Sequence, residues 1–298
     1  MDVSGIFPAL TTPFAEDGSV SVAGIKQNIG LYNQTGLAGY VALGSTGESV
    51  LLSREEAEVV LVAVKEAAAP GKILIAGTGA ESTAETIART KRAAALGYHV
   101  ALVKTPYYYK PAYRAENFTQ HYRAVADAAP IPVLLYSVPI FTGIALEAPE
   151  IITLAQHPNI IGIKDSSGSI QRLGETVAGA PAEFRVLTGG ASVVYPALAV
   201  GARGAILALA DLLPEKCVEL YQLFQQGRHA DAKALQLQLV RASKSIASDT
   251  GIPGLKYAME LRGYAGGAPR PPLLPLSAEK KKSVLAALGE VYPAAARV

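Results

Sequence analysis

Eight short apolar runs, separated by longer stretches of helical period, constrain this chain more than any other feature of it. The runs are GIFPAL (5–10), GYVALG (39–44), KILIAG (72–77), HVALVK (99–104), PVLLYS (132–137), IIGIKD (160–165), RVLTGG (185–190) and GAILAL (204–209). Each reads as a strand buried on both faces, as a parallel sheet requires. The stretches between them place Ala, Leu and Val at i, i+3 and i+4, and several begin with Ser or end with Gly. SREE at 53–56 has the form of a capping box, with Glu three residues after Ser.

The strand–helix units fill the chain to about residue 225. Eight of them favour an α/β fold of the closed (β/α)8 kind, a TIM barrel, because an open doubly wound sheet usually has fewer strands. A dinucleotide-binding sheet would also carry GxGxxG after its first strand, and TTPFAEDGS stands there instead. Residues 211–298 add helical stretches, from PEKCVELYQLFQQG to SAEKKKSVLAALGEVY. The expected organisation is a catalytic barrel over 1–225 and a helical C-terminal extension over 226–298 packed on it.

Composition narrows the class of protein. Half of the 298 residues are hydrophobic, enough for a sizeable core. Lys plus Arg is 27 against 25 for Asp plus Glu, with no basic block or acidic tail, which argues against nucleic acid and anionic membrane as partners. The single cysteine, Cys217, excludes an internal disulfide, fits a reducing compartment and reads as a packed helical thiol. The first residues lack the pattern of a signal peptide. Prolines break the most apolar stretch, PIPVLLYSVPIFTGIAL, so it makes no regular spanning helix. A soluble, cytoplasmic protein is expected.

In such barrels the chemistry sits where the strands end. Hydroxyls dominate those positions: Thr11 and Thr12, Ser45 and Thr46, Tyr107 to Tyr109, Tyr136, Ser166 and Thr188. No two of the four histidines have metal-ligand spacing, so neither a metal-dependent reaction nor any cofactor is expected. Lys164 ends the run Ile160-Ile161-Gly162-Ile163. A dry barrel mouth disfavours an ammonium ion, and a neutral amine there can condense with a ketone to an imine. The plainer reading is a lysine paired with Asp165. Tyr136 ends the preceding strand, about 4.8 Å away, within reach of that amine; taken alone, a tyrosine capping the core is the favoured reading. GSTGE (44–48) suits a small carboxylate or phosphate, although a plain turn is the default for such a pattern.

Taken together the motifs resemble the dihydrodipicolinate synthase / N-acetylneuraminate lyase family of class I pyruvate aldolases. The matching pieces are FPALTTPF (7–14), GSTGES (44–49), AGTGAES (76–82), KTPYYY (104–109), YSVPIFTG (136–143) and IIGIKDSSG (160–168). The wording of PIPVLLYSVP, QHPNIIGIKDS and GIPGLKYAMELRGYAGG looks closest to the 4-hydroxy-2-oxoglutarate aldolase branch.

The resemblance implies that Lys164 forms the imine and that Tyr136 moves protons, with Ser45 and Tyr108 in the relay. Thr46 would hold the pyruvate carboxylate. Gly189 and Ile206 would line the pyruvyl group, and Ser166 would offer a hydroxyl to the substrate. It also implies that Tyr108 is inserted from a neighbouring subunit, making a dimer the minimal unit and a homotetramer the usual assembly. The expected partners are pyruvate and an aldehyde.

One position departs from the synthase pattern: Phe141 stands where an arginine grips the carboxylate of the second substrate, and an aromatic ring does not replace a bidentate guanidinium. The expected activity is therefore aldolase-like, with the synthase as the alternative and a sugar-acid aldolase or dehydratase third. A catalytically idle keto-acid-binding protein is the rival from another class. A phosphate-handling isomerase would rest on TGGAS (188–192) alone.

Lysine-inhibited synthases carry His and Asn at positions that read here as Arg54, Ala57 and Glu81. Titrating lysine against the activity is therefore expected to leave the rate unchanged, and strong inhibition would overturn that expectation.

Overall fold

The computed structural model describes residues 1–292. The last six residues of the expected extension, 293–298, lie outside the described residues. Eight strands follow the apolar runs: β1 (Gly5–Pro8), β2 (Gly39–Ala42), β3 (Ile73–Gly77), β4 (Val100–Lys104), β5 (Val133–Ser137), β6 (Ile160–Asp165), β7 (Arg185–Thr188) and β8 (Gly204–Leu207). Consecutive strands from β2 to β8 pair in parallel, and β8 pairs with β1. The ring closes between β1 and β2. There Leu10 N donates to Val41 O at 3.0 Å, and Ala38 N donates to Ile6 O at 2.9 Å. The expected (β/α)8 barrel is the observed fold.

The helices are α1 (Val22–Tyr32), α2 (Arg54–Ala67), α3 (Thr83–Ala95), α4 (Ala115–Ala128), α5 (Pro139–Thr142), α6 (Ala148–Leu154), α7 (Ile170–Gly179), α8 (Val194–Ala199), α9 (Leu209–Leu212), α10 (Pro214–Gln225), α11 (His229–Ala242), α12 (Gly251–Leu261) and α13 (Ala278–Val291). Ser53 caps α2 as its sequence predicts. Its hydroxyl accepts from Glu56 N at 3.2 Å, while Glu56 returns a carboxylate to Ser53 N at 2.9 Å. Four runs extend two residues past their strands, those of β1, β2, β7 and β8; in the last, GAILAL stops being a strand at Leu207, and Leu209 already opens α9. Apolar character alone does not separate a strand end from a buried helical turn.

Side chains fill the barrel. Phe7, Val41, Ile75, Leu102, Leu134, Tyr136, Leu187 and Ile206 form its interior, each from a different strand except the two on β5. Outside the wall, the C-terminal helices share one apolar core with the barrel. Leu239, Leu255, Met259, Val284 and Leu288 belong to the same cluster as Ile6, Tyr40 and Leu74. Cys217 is buried in α10. No helix among the described residues is long and apolar enough to cross a membrane.

Beneath the barrel mouth, α9 carries Asp211, which is fully buried. The Tyr32 hydroxyl donates to its backbone carbonyl at 2.7 Å, and its Oδ2 has no partner among the described residues. Burial pushes this carboxyl well above the usual carboxylate range. The native state therefore holds a proton that the unfolded chain releases. That contribution is full below the ordinary carboxyl value and is lost as pH rises through the raised one. Asp211→Asn should flatten the decline of stability with rising pH. Denaturant melts at about pH 5 and about pH 8 should show a larger gain at the higher pH; an equal gain at both would contradict the assignment.

Candidate active site

The C-terminal strand ends gather at one mouth, and a single row of register crosses four of them. Lys104 lies beside Tyr136, Tyr136 beside Lys164, and Lys164 beside Leu187. Tyr136 and Leu187 belong to the barrel interior, so the row faces inward. Lys164 is 4 % exposed, and its Nζ lies 4.3 Å from the centre of the Tyr136 ring.

An irregularity in β6 puts Lys164 on that side. Val133 lies opposite Ile160, but the next residue, Leu134, lies opposite Gly162, which leaves Ile161 as an extra residue. Side chains alternate along a strand, so Ile160 and Lys164, four apart, would normally share a face. Ile160 instead packs in the outer cluster, together with Ile163. The extra residue reverses the alternation and turns Lys164 inward.

Neighbouring Asp165 does not pair with the amine. Asp165 turns away: its Oδ1 accepts from Ser167 N at 2.6 Å, and its Oδ2 lies 3.9 Å from Arg172 Nη1. Among the described residues no carboxylate forms an ion pair with Lys164. The pairing with Asp165 that the sequence left open is absent here.

The hydroxyl loop after β2 reaches the same centre, with Ser45 Oγ 3.4 Å from Tyr136 Oη. Thr46 is half-buried beside it. Thr12 Oγ1 donates to Gly47 O at 2.7 Å, and a Cβ at Gly47 would stand 2.9 Å from Leu10 O. Across the mouth Gly189 faces Ser166 so closely that a Cβ there would lie 1.9 Å from Ser166 Oγ. Only glycine fits at 189 with Ser166 in this position. Ile206 is fully buried in the barrel interior.

Tyr108 is the one expected site residue that the fold does not bring to this centre. It is 73 % exposed, its ring stands edge-on to Tyr109 at 5.1 Å, and its backbone N donates to Glu81 Oε2 at 2.8 Å. Phe141 is 62 % exposed on α5.

A cavity of about 500 Å³ opens from Ser45 and Tyr136 toward β3 and β4 and is lined farther out by Arg54, Ala57, Glu81 and Arg89. Lys104 projects into it, with Nζ donating to Gly79 O at 2.6 Å, and burial holds its amine below the ordinary lysine value.

The pairing that holds the hydroxyl loop was not legible in the sequence. Glu48, which follows the hydroxyl loop, is buried and ion-paired to Lys256 on α12 at 2.6 Å. Sequence spacing could not have joined them, since they lie 208 residues apart. Breaking such a pair by removing one partner typically costs about 3–5 kcal/mol, because the other charge is left buried. The histidines have structural partners: His121 meets Thr83, and His157 meets Asp127. No group of three or more His, Cys, Asp and Glu among the described residues is arranged to hold a metal ion.

Comparison with known proteins places this geometry. The dihydrodipicolinate synthetase family matches residues 2–291. A 4-hydroxy-tetrahydrodipicolinate synthase from Exiguobacterium sp. is 36% identical over 285 residues, covering 96% of this chain and 97% of that protein. One from Methanothrix thermoacetophila is 36% identical, covering 93% of each. Among solved structures, the chloride-inhibited dihydrodipicolinate synthase from Acinetobacter baumannii, complexed with pyruvate, superposes with a TM-score of 0.92 at 31% identity over 97% of this chain and 99% of that one. A prophage protein of the dihydrodipicolinic acid synthase family from E. coli K12, also in complex with pyruvate, has a TM-score of 0.92 at 28% identity over 98% and 99% of the two chains. The chain belongs to the dihydrodipicolinate synthetase family and is a class I aldolase, a carbon–carbon lyase.

Proposed function

We propose that the protein joins or cleaves a C–C bond between pyruvate and an aldehyde through an imine on Lys164. The observation that carries this reading is a buried lysine with no carboxylate partner among the described residues, set against a tyrosine that meets a serine hydroxyl. Pyruvate binds with its carboxylate at Ser45 and Thr46. The Lys164 amine adds to the ketone carbon, and loss of water leaves the imine. The imine accepts the electron pair when the methyl carbon loses a proton or when the C–C bond breaks. In the forward direction the resulting enamine carbon attacks the aldehyde, and water then hydrolyses the imine to free the amine. Tyr136 carries the protons, passing them to Ser45.

Tyr108 completes this relay when a second copy of the chain supplies it. Tyr108, Tyr109, Ile140 and Phe141 are all exposed, which supports covering of this surface by a partner subunit and assembly as a homotetramer.

The relatives' names support 4-hydroxy-tetrahydrodipicolinate synthase as the first assignment for the aldehyde partner. Phe141 supports a second, 4-hydroxy-2-oxoglutarate aldolase-like reading, because it stands where the synthase pattern has an arginine for its second substrate. Assays with aspartate semialdehyde and with 4-hydroxy-2-oxoglutarate, run side by side, separate the two readings by which substrate gives the larger kcat/KM.

The imine itself is tested by reduction. Borohydride with pyruvate should leave one covalent adduct, and peptide mapping should locate it on Lys164. A protein that forms none would be a keto-acid-binding module. Lys164→Arg should abolish turnover while the fold is kept, and Tyr136→Phe should lower kcat by about 10²–10⁴-fold. Full turnover in the arginine variant would end the proposal.

A further inference from the structure

The hydroxyl loop is held from its far side by the C-terminal part of the chain. Leu43 and Glu48, which bracket residues 44–47, are the two non-glycine residues with left-handed backbone among those described, at φ 59° and 55°. Such conformations persist where the surroundings over-determine them. At Glu48 the surroundings are specific. Its Oε1 accepts from Lys256 Nζ at 2.6 Å, and its Oε2 accepts from the backbone N of Arg270 at 2.8 Å. Lys256 also donates to Ala268 O at 3.0 Å.

The Arg270 guanidinium extends the clamp. It binds both carboxylate oxygens of Glu56 at 2.6 and 2.7 Å, and it donates to Leu51 O and Gly18 O. Lys256 and Arg270 both lie against the Phe14 ring, 4.4 and 4.2 Å from its centre. The loops after β1 and β2 are thereby tied to one stretch of chain, Lys256 to Arg270.

We propose that Lys256 and Arg270 are positioning residues for the keto-acid carboxylate that fix the Ser45–Thr46 loop, Lys256 through Glu48 and the Arg270 guanidinium through Leu51 and Glu56 just beyond it. This rests on the reading that Ser45 and Thr46 bind that carboxylate. A buried ion pair is a poor device for stability alone, since apolar residues of the same size serve as well. It does fix a direction, and hydrogen-bond donors around a small anion need theirs fixed closely. The carboxylate is held alike in the ground and transition states. Loosening its loop should therefore raise KM and leave kcat nearly unchanged.

The test compares Glu48→Gln, the double variant Glu48→Gln/Lys256→Met and the milder Arg270→Ala, whose backbone N–H still reaches residue 48. Borohydride trapping at Lys164 is titrated with pyruvate and, separately, with acetone, a ketone without a carboxylate. The wild-type adduct with pyruvate checks the underlying reading; its absence would refute that reading and this inference with it. With the adduct present, the variants should need about 10- to 100-fold more pyruvate for half-saturation, with acetone trapping unchanged. Arg270→Lys should recover part of the loss. The double variant should regain melting temperature over Glu48→Gln without regaining pyruvate affinity. A folded variant with wild-type pyruvate half-saturation, or one in which acetone and pyruvate trapping weaken together, would refute the positioning role. If both Glu48 variants fail to fold, Arg270→Ala decides the question by the same two titrations.

Discussion

A parallel sheet of buried strands leaves two unpaired edges unless the first strand meets the last. Here Gly5 to Pro8 runs beside Gly204 to Leu207, and the ladder continues through Leu10 and Val41 until no edge remains. Closure sends all eight strands in one direction, so every C-terminal end arrives at the same mouth. It also gives the wall an inner and an outer face, and each side chain must take one. The extra residue at Ile161 matters for this reason: it shifts the alternation of β6 by one place and delivers Lys164 to the inner face, against Tyr136.

Charge inside this fold is handled in three ways, each suited to what surrounds it. Glu48 and Lys256 are buried together and satisfy one another with help from backbone groups. Asp211 has an oxygen without a partner among the described residues and is favoured in its neutral form. Lys164 has neither a carboxylate nor a hydrogen bond to hold it among the described residues, and lies over an aromatic ring. A buried amine left free in this way is available to a substrate, whereas the Lys256 ammonium is committed to its partners.

The family framework and the particulars of this chain point in different directions at one place. The barrel follows the family, and relatives of nearly the same length share more than a third of their residues with it. Phe141 is exposed on α5, at the position where the sequence departs from the synthase pattern.

Much of this was legible in the linear sequence. The apolar runs marked the eight strands to within a residue or two, because a strand buried on both faces has no polar position to hide. Ser53 and Glu56 announced the start of α2, since a capping box is local. Lys164 stood out as a charge ending an apolar run, and Tyr136 by its place on the strand before. What stayed hidden depends on contacts between distant residues. The side of the wall that Lys164 faces was decided by pairing with β5, the left-handed turn at Glu48 by a lysine 208 residues away, and the exposure of Tyr108 by a loop tied to Glu81 through backbone N–H groups that leave the ring outside. Local pattern and hydrophobicity determine which segments become strands and helices, because those preferences act over a few residues. Register, burial of charge and the meeting of loop with C-terminal helix were settled only by closing the barrel, because each is a relation between surfaces that the sequence keeps apart.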